Sequence, residues 1–515
     1  MTSHPSVVLG VDIGTYEAKG VLVDAAGTVI AQQRRPHRVT VPAPGQVEHD
    51  AITVWWDGFV EITRGLLAAS GLPGTAVKSV AVSGIGPCVL PVDSDGNPLR
   101  NAILYGVDTR AVDQIARLED SIGMSAIRRR SGTNLSSQSA GPKIMWIEDN
   151  EPEVFAATER FVTCQTFIVG RLTDVWKIDH ATGAYYHPFY DRQTAQWDLE
   201  GMPTRLCAEQ LPALGWSSDV AGYVTREAAA ATGLATGTSV LVGAPDAAVE
   251  ALSAGVAQAG EMMLMYGSSH FIIEIVDEPH SSEKLWPAPF LFPDTHLVAA
   301  GTATAGSFTR WFADLLVSTG TTDDAYTALT ADAASSPPGA NGLLSLPYLS
   351  GERTPIYDPA ARGALVGLRL DHTRGDVARA IAEGIAQSAA AAVLQYDREN
   401  LRPTRIHAVG GGTKNRVWTQ AVTDILGRQQ EIVSTLGACF GDAMLAAMAV
   451  NLVDRDAALG WVQPSATMTP RPELRSLYDI QREAFQQLYE QTRSVLEKLG
   501  TIGTLGVTVE EESAE

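Results

Sequence analysis

Residues 8–15 read VLGVDIGT, and this stretch decides the fold class. Apolar residues run up to Asp12, and a glycine-containing turn follows at Gly14 and Thr15. The next stretch, AKGVLVDAAGTVIAQQ at residues 18–33, repeats the pattern of short apolar runs separated by a glycine turn. Such runs are typical of an antiparallel meander of strands. A carboxylate at the end of a buried strand needs a partner, so Asp12 is the first candidate functional residue.

A second stretch, EMMLMYGSSHFIIEIVDEP at residues 261–279, has the same layout of strand, glycine turn and strand. Two hairpins of one design indicate a duplicated architecture whose halves face each other across a cleft. We place the boundary in SAGVAQAG, near residues 253–260. The predicted domains are therefore 1–255, 256–455, and a helical extension with an acidic tail at 456–515.

Composition limits the possible partners. The chain has 515 residues and a formal net charge of -21, which disfavours binding to nucleic acid and to anionic membrane surfaces. Its four cysteines form no C-x-x-C pair, so neither a zinc site nor a disulfide framework is indicated. The N-terminal residues MTSHPSVVLG lack a basic region followed by a long apolar stretch, and we predict a cytoplasmic protein.

Glycine-rich turns offer free backbone N–H groups that can hold phosphate oxygens. The sequence has three of them, at Asp12-Ile13-Gly14-Thr15, Gly267-Ser268-Ser269 and Gly410-Gly411-Gly412. Each alone is a common structural feature, but one turn in the first half and two in the second indicate a nucleotide held by both halves. Neither the P-loop pattern nor G-x-G-x-x-G with its acidic residue occurs, so those two nucleotide folds are not supported.

Six ordered motifs carry a resemblance to a known family. They are the DIGT-x-x-x-K opening (Asp12 to Lys19), Gly243-x-x-Asp246, the Gly-Ser-Ser turn, Gly410-Gly411-Gly412-x-x-Asn415, KIMWIEDN at 143–150 and GALVGLRLDHTRGDVARAIAE at 363–383. Together they resemble the FGGY family of carbohydrate kinases. The resemblance implies an α/β protein with two actin-like (ribonuclease H-like) ATPase domains and a deep interdomain cleft.

The implied activity is transfer of the γ-phosphoryl group of ATP to a sugar hydroxyl, with Mg²⁺ as the metal. In such a transfer the protein contributes mainly positioning and charge neutralisation. The resemblance assigns Asp12 to Mg²⁺, directly or through water, and Asp246 to the general base that accepts the hydroxyl proton. Asp246 can also serve as the N-cap of the predicted helix DAAVEALSAG, and both roles can coexist.

The resemblance also implies the nucleotide contacts. Phosphate groups would meet Gly14, Thr15 and Lys19 in the first half and Gly267, Ser268 and Ser269 in the second, while Gly410, Gly411, Gly412 and Asn415 would border the adenosine. Tyr16 replaces a small hydroxyl residue common in the family, which leaves the first phosphate contact open. Lys19 is equally explained as a surface residue on a strand.

The acceptor site is implied by two segments, SGIGP with Gly84 and YGVDTR with Asp108 and Arg110. Asp108 and Arg110 could hydrogen-bond sugar hydroxyls or form a structural ion pair. The histidine and glutamine that the first segment carries in xylulose-specific members are missing. We predict a ketopentose such as D-xylulose as acceptor, with ribulose, a tetrulose, glycerol or another polyol as alternatives.

An alternative hypothesis, from another class of protein, is an actin-like ATP-binding module without a sugar acceptor. A homodimer is compatible with the sequence.

Overall fold

The computed structural model describes residues 5–316 and 322–502. Two compact units can be distinguished. The first comprises Met1–Glu261, Ile273–Val298 and Ser434–Gln463, and the second comprises Met262–Ile272, Ala299–Val433 and Pro464–Glu515. These units divide the chain differently from the predicted domains, whose bounds stay a prediction. The acidic tail VTVEEESAE lies outside the described residues.

The strands are short and numerous, as expected where β-branched runs alternate with glycine turns. They are β1 Val7–Ile13, β2 Glu17–Asp24, β3 Val29–Pro36, β4 Glu48–His49, β5 Val77–Gly84, β6 Leu90–Val92, β7 Ala102–Ile103, β8 Arg160–Val162, β9 Lys177–Asp179, β10 Tyr190–Asp191, β11 Gln196–Trp197, β12 Ala213–Gly215, β13 Val220–Tyr223, β14 Ser239–Leu241, β15 Ala244–Pro245, β16 Glu261–Tyr266, β17 His270–Val276, β18 Trp286–Pro289, β19 His296–Gly301, β20 Leu344–Leu346, β21 Ala364–Val366, β22 Arg405–Val409, β23 Gln430–Val433 and β24 Pro464–Met468.

The helices are α1 Asp57–Ser70, α2 Val112–Ile122, α3 Met124–Ser131, α4 Ala140–Asn150, α5 Pro152–Ala157, α6 Cys164–Thr173, α7 His180–Gly183, α8 Arg226–Thr232, α9 Asp246–Ser253, α10 Gly306–Leu316, α11 Thr322–Ser335, α12 Arg374–Arg398, α13 Arg416–Leu426, α14 Ala438–Ala449, α15 Arg455–Leu459 and α16 Arg475–Ile502. The sequence pattern predicts a helix at about 374–398 and another over VWTQAVTDILG at 417–427, and both are confirmed, the second to within one residue at each end. The charged helix predicted near 471–498 begins later, because residues Pro472–Leu474 form a separate 3₁₀ turn.

The first sheet has the order β13-β14-β5-β1-β2-β3, with β15 also paired to β5. Strand β1 pairs antiparallel with β2, and β2 with β3, which confirms the predicted meander. On its other side β1 pairs parallel with β5. Strand β1 is buried along its whole length, because it lies in the middle of the sheet between β5 and β2 with both faces covered.

The second sheet repeats this arrangement in the order β18-β19-β17-β16-β22-β23-β24. The hairpin of β16 and β17 takes the position that β1 and β2 hold in the first sheet. Strand β22 lies beside β16 and pairs parallel with β23. A meander followed by parallel strands in both sheets is the arrangement of a duplicated α/β fold, and the predicted fold class is confirmed.

Helix α14 packs in the first unit although it lies late in the chain. It approaches β1 at Gly10, where an added Cβ would lie 2.0 Å from the carbonyl oxygen of Cys439. It approaches α9 at Gly441, where an added Cβ would lie 2.0 Å from the carbonyl oxygen of Val249. Only glycine permits these backbone distances, so the two glycines bring α14 against the strand and the helix that carry Asp12 and Asp246.

Helix α12 is long and apolar enough to cross a membrane by length and composition, and 83% of its most apolar window is buried inside the protein. Its N-terminus is a capping box, in which Thr373 and Asp376 bond each other's backbone N–H groups. A core helix has this combination of apolar length and burial.

Candidate active site

The first unit brings three predicted site residues to one edge of its sheet. Strands β1 and β5 run parallel, with Ile13 beside Gly84, and β15 pairs parallel with β5, with Pro245 beside Gly84. Asp246 follows directly after β15 as the first residue of α9. Because the carboxyl ends of parallel strands meet at one edge, Asp12, Gly84 and Asp246 are neighbours there.

Asp246 is oriented by the start of its own helix. Pro245 occupies the N-cap position, so the prediction that Asp246 is the N-cap is wrong by one residue, and Asp246 is the first residue of the helix. The backbone N–H of Ala247 donates to Oδ1 of Asp246 at 2.7 Å. Burial raises the pKa of Asp246 to about 6, although this hydrogen bond acts in the opposite direction. The carboxylate is therefore more basic than a free aspartate and is still mostly ionised at neutral pH.

Further carboxyl groups surround this edge of the sheet. Burial raises the pKa of Asp12 well above its usual value, and the charges of Asp246 and Glu250 raise it further, against the attraction of Lys19. Burial also raises the pKa of Glu250 to about 7, with Asp246 adding to the effect. These shifts share one main cause, because burial removes the water that stabilises a charged carboxylate, and nearby negative charges add to it at Asp12 and Glu250.

Ser83 links Asp12 to a carboxylate that the sequence analysis did not identify. Its hydroxyl lies 3.2 Å from Oδ1 of Asp12 and 2.6 Å from Oδ2 of Asp442. Asp442 is fully buried in α14, and burial raises its pKa well above the usual value. The signal was present in the sequence, because Asp442 is the one charged residue in the apolar helix ACFGDAMLAAMA.

The donor set suits Mg²⁺. Carboxylate oxygens are the hard ligands that Mg²⁺ prefers, and burial, without a paired cation among the described residues, raises the pKa values of both Asp12 and Asp442. Oδ1 of the buried Asp442 also has no hydrogen-bond partner in the described part of the chain. Within residues 5–316 and 322–502, no three metal-ligating side chains converge on one point. Mg²⁺ keeps several waters and takes few carboxylates, so Asp12 would be its main protein ligand.

The hairpin turn after Asp12 has its glycine N–H occupied. Gly14 N–H donates to the carbonyl oxygen of Glu17 at 3.0 Å, so this N–H is not available to a phosphate. The following N–H groups, of Thr15 and Tyr16, make no hydrogen bond to any residue that the structure describes. Lys19 Nζ lies 3.4 Å from Glu17 Oε2 in a partly exposed pair. Its contact with phosphate stays a prediction.

Asp108 and Arg110 form a closed, buried ion pair. Arg110 Nε lies 3.0 Å from both carboxylate oxygens of Asp108, and Arg110 Nη1 lies 2.9 Å from Glu48 Oε1. The backbone N–H of Val47 also donates to Asp108 at 2.6 Å, and the guanidinium lies 4.8 Å from the ring centre of Trp146. These contacts are internal, as in the structural alternative, and direct contact with a sugar stays a prediction.

Lys143, in the KIMWIEDN motif, holds the chain segment that precedes Asp108. Its ammonium donates to the carbonyl oxygens of Leu104 at 2.6 Å, Tyr105 at 2.9 Å and Ser137 at 2.6 Å. Burial lowers the pKa of Lys143 to about 8, which leaves it mostly protonated at neutral pH. A charged donor with three carbonyl acceptors anchors the Leu104–Tyr105 segment that precedes Asp108.

In the second unit, the turn Gly267-Ser268-Ser269 joins β16 to β17. Gly267 N–H donates to the carbonyl oxygen of Ser269 at 3.1 Å. The start of α10 holds the carbonyl groups, because Gly306 N–H donates to Gly267 at 3.0 Å and Ala305 N–H donates to Ser268 at 2.8 Å. With both carbonyl groups occupied, the hydroxyls and remaining N–H groups of this turn are the ones open to a ligand.

The Gly410-Gly411-Gly412 turn follows β22 in the same unit. Gly410 has φ +94°, and an added Cβ would lie 2.7 Å from the carbonyl oxygen of Tyr266, so glycine is required. An added Cβ on Gly411 would meet nothing within 4 Å, which leaves that side open. Asn415 is the N-cap of α13, where its Oδ1 accepts from Trp418 N–H at 3.2 Å.

Two related α/β units, with carboxylates at strand ends in one and glycine turns in the other, define a nucleotide-dependent enzyme of the actin-like class. The chain belongs to the FGGY family of carbohydrate kinases. The model of the family's N-terminal domain matches residues 7–253, and that of its C-terminal domain matches residues 262–450. The chain is a carbohydrate kinase, and family membership implies ATP as substrate and usually Mg²⁺.

Relatives and a solved structure agree with this assignment. The chain is 28% identical to the xylulose kinase of Staphylococcus epidermidis over 96% of this chain and 99% of the relative. It is 26% identical to the gluconokinase of Bacillus subtilis over 88% and 89% of the two chains. The crystal structure of xylulose kinase from Rhodospirillum rubrum superposes with a TM-score of 0.89 at 31% identity, covering 95% of this chain and 99% of that chain.

Proposed function

We propose that this enzyme transfers the γ-phosphoryl group of ATP to a hydroxyl of a ketopentose, with D-xylulose as the first candidate. The observation that carries the proposal is the position of Asp246 at the end of β15, next to the strand ends of Asp12 and Gly84. A proton acceptor, a metal-binding carboxylate and an acceptor segment at one sheet edge are what the reaction requires. A pure ATP-binding module needs no such acceptor side.

Similarity to xylulose kinases supports the ketopentose, but the acceptor segment differs. Ile85 and Pro87 stand where xylulose-specific members carry glutamine and histidine, so other polar groups must meet the sugar hydroxyls. The similarity to a gluconokinase raises gluconate as an acceptor. An acidic sugar is disfavoured, because Asp12, Asp246 and Glu250 already crowd negative charge at this edge.

Asp246 would act on the attacking hydroxyl. Its Oδ1 is engaged by Ala247 N–H, which leaves Oδ2 to accept a hydrogen bond from the sugar. Because the transition state of phosphoryl transfer is loose, the carboxylate orients the hydroxyl first and takes its proton late. The pKa of about 6 supports this role, since the group is ionised at neutral pH and more basic than free aspartate.

The nucleotide would be held through backbone groups and small side chains. We assign its phosphates to the turn of Gly14 and Thr15 with Lys19 in the first unit, where the N–H groups of Thr15 and Tyr16 and not that of Gly14 would donate, and to the turn Gly267-Ser268-Ser269 in the second. Its adenosine is assigned to Gly410, Gly411, Gly412 and Asn415. Asp12 would hold Mg²⁺, which neutralises phosphate charge when bound.

The test is ADP release measured with a panel of acceptors: D-xylulose, D-ribulose, L-ribulose, erythrulose, glycerol and D-gluconate. We expect release that depends on the acceptor and is fastest with a ketopentose. A highest rate with gluconate, a polyol or a tetrulose would replace the ketopentose by that acceptor. Equal release with every acceptor and without any would overturn sugar phosphorylation altogether.

We further propose a cytoplasmic enzyme with no nucleic-acid or membrane partner. The net charge of -21 supports this, because polyanions are repelled at long range. Sugar kinases act on small molecules, so the partners required for activity are the sugar and the nucleotide. A homodimer is compatible with this function, and sedimentation of the purified chain would decide it.

A further inference from the structure

Two histidines from outside the recognised motifs hold the turn after Asp12, residues 13–17, which we call the first phosphate turn. His37 Nε2 lies 2.9 Å from the carbonyl oxygen of Gly14. His49 Nε2 lies 3.0 Å from the carbonyl oxygen of Thr15. The two rings are neighbours, with centroids 5.1 Å apart, so they approach the turn from one side.

The hydrogen positions on both rings follow from their partners. Trp55 Nε1 lies 3.1 Å from His49 Nδ1, and an indole N–H can only donate. His49 Nδ1 is therefore the acceptor, and Nε2 carries the hydrogen that is donated to Thr15. A carbonyl oxygen can only accept, so His37 Nε2 is likewise a donor. Burial lowers the pKa of His37 and lowers that of His49 to about 4, so both rings are neutral at physiological pH.

Peptide geometry converts these bonds into a direction for the N–H groups. In a trans peptide the C=O and N–H of one unit point in opposite directions. The carbonyl of Gly14 shares its peptide with the N–H of Thr15, and the carbonyl of Thr15 shares its peptide with the N–H of Tyr16. With both carbonyls directed to the histidines, both N–H groups point away from them, and successive N–H groups on one side form an anion-binding concavity.

The peptides on either side are also occupied. The Ile13 carbonyl accepts from Ile85 N–H at 2.9 Å, and Gly14 N–H donates to Glu17 at 3.0 Å. The Tyr16 carbonyl accepts from His37 N–H at 2.8 Å. The turn therefore has little freedom to rotate, and Thr15 and Tyr16 present the donors that remain.

We propose that His37 and His49 are positioning residues that aim the N–H groups of Thr15 and Tyr16 at a phosphate group of the nucleotide. The proposal rests on the function proposed above. It also accounts for Tyr16, the residue that departs from the family's small hydroxyl. The contact at this position is made by the backbone, so the side chain, which is 64% exposed, has no hydroxyl role to fill.

The first experiment compares His37→Leu and His49→Leu, which lose the donor, with His37→Gln and His49→Gln, whose amide N–H can replace it. Loss of one such hydrogen bond should weaken nucleotide binding by about tenfold. We expect each leucine variant to raise the Kd for MgADP and the KM for ATP by about this factor, with the acceptor KM changed less than about twofold. The glutamine variants should stay within about threefold of wild type.

His180→Leu is the matched control. His180 is a buried histidine of the same unit that bonds Tyr190 through Nδ1 at 2.9 Å and does not contact the turn. Its substitution should lower the melting temperature without changing the Kd for MgADP. If His37→Leu and His49→Leu also lower only the melting temperature, the two histidines are structural and the proposal is overturned.

A second pair of variants tests the N–H group itself. Tyr16→Pro deletes the N–H at an exposed turn position, whereas Tyr16→Ala keeps it and removes the side chain. We expect the proline variant to lose MgADP affinity by about tenfold and the alanine variant to change it by less than about twofold. Equal effects of the two substitutions would overturn the proposal.

Calorimetric binding of MgADP separates this proposal from the proposed function. If MgADP affinity falls in the leucine variants while no acceptor stimulates ADP release in wild type, the positioning role holds and the sugar kinase activity fails. If acceptor-dependent turnover is normal and all variants bind MgADP as wild type does, the sugar kinase activity holds and the positioning role of the histidines fails.

Discussion

The first phosphate turn and the turn Gly267-Ser268-Ser269, the second phosphate turn, share one design but are held differently. In each, the glycine N–H bonds within the turn and the carbonyls are occupied from outside. Histidine side chains hold the first, whereas backbone groups at the start of α10 hold most of the second. Duplicated hairpins can therefore hold the carbonyl groups of their turns through different supports.

The two turns differ in how many groups hold each carbonyl. The Thr15 carbonyl is held by histidine side chains, with His49 Nε2 at 3.0 Å and His37 also interacting with it. The Ser268 carbonyl accepts from the N–H groups of Ala305 and Ser307 and from the Ser307 hydroxyl, at 2.8, 3.1 and 2.8 Å. The first turn should therefore respond strongly to side-chain substitutions and the second turn mainly to changes of its backbone support.

The largest effect is expected at Asp246, which belongs to the acceptor side of the first unit. Asp246→Asn keeps the size and the bond from Ala247 N–H but removes the base, so turnover should fall by about 10²- to 10⁴-fold. Affinity for MgADP should stay within about tenfold, since the phosphate turns are untouched. Single-turnover kinetics with calorimetric binding would measure both, and near-normal turnover would remove the assignment of Asp246 as base.

Gly306→Ala tests the backbone support of the second phosphate turn. An added Cβ would lie 2.7 Å from the Gly267 carbonyl oxygen, so the turn or α10 must shift. Overpacking of this kind costs about 1–3 kcal/mol, and we expect MgADP affinity to fall by about tenfold to a hundredfold.

Gly65→Ala is the control, because its Cβ would meet only the flexible Gln33 side chain, at 3.3 Å. Wild-type MgADP affinity in Gly306→Ala would show that the second turn does not depend on α10.

The pH dependence should come from the first unit, where Asp12, Asp246 and Glu250 have raised pKa values at the site. A raised pKa means that Asp246 takes up its proton at higher pH, so the ionised base is lost as the pH falls through about 6. At pH 5, kcat/KM should be about tenfold below its neutral value at limiting Mg²⁺. Bound Mg²⁺ favours the charged form, so saturating Mg²⁺ should move the midpoint to lower pH.

Profiles of kcat/KM between pH 5 and 8 at both Mg²⁺ concentrations would check this. A midpoint that rises with Mg²⁺, or a flat profile at limiting Mg²⁺, would contradict the role of this carboxyl group.

The smallest effect is expected for Ser307→Ala in the second phosphate turn. It removes one hydroxyl donor to Ser268, but the N–H groups of Ala305 and Ser307 still donate to the same carbonyl. Because the lost bond is exposed and backed by two others, the KM for ATP should change by less than about threefold. A loss as large as that expected for His49→Leu would show that the second turn is no more redundant than the first.

Local patterns made much of the fold predictable. The hairpins of β1 with β2 and of β16 with β17 follow from apolar runs and glycine turns within about twenty residues of chain. The sequence predicted helix α12 at its observed bounds, because its apolar periodicity and its start signal come from residues that are neighbours in the sequence. Helix α16 begins at Arg475, later than predicted, because the turn before it, Pro472–Leu474, is a 3₁₀ turn.

The site was predictable where function follows from a turn and not where it follows from packing. Asp12 and Asp246 stand next to strand ends, which a sequence pattern can locate. Asp442 is 359 residues from Ser83 and meets it only because α14 packs against β1. His37 and His49 were missed for the same reason, since they contact the first phosphate turn from 23 and 34 residues away.

The sequence by itself determined the two hairpins, the glycine turns, the family and the carboxylates at strand ends, because these depend on backbone preferences of neighbouring residues. Only the tertiary structure decided which groups hold each turn and that Asp108 and Arg110 bond each other. It also decided that Asp442 and Asp12 share the Ser83 hydroxyl. Hydrogen bonds between distant side chains require that packing has already brought them within about 3 Å, and no local pattern records that distance.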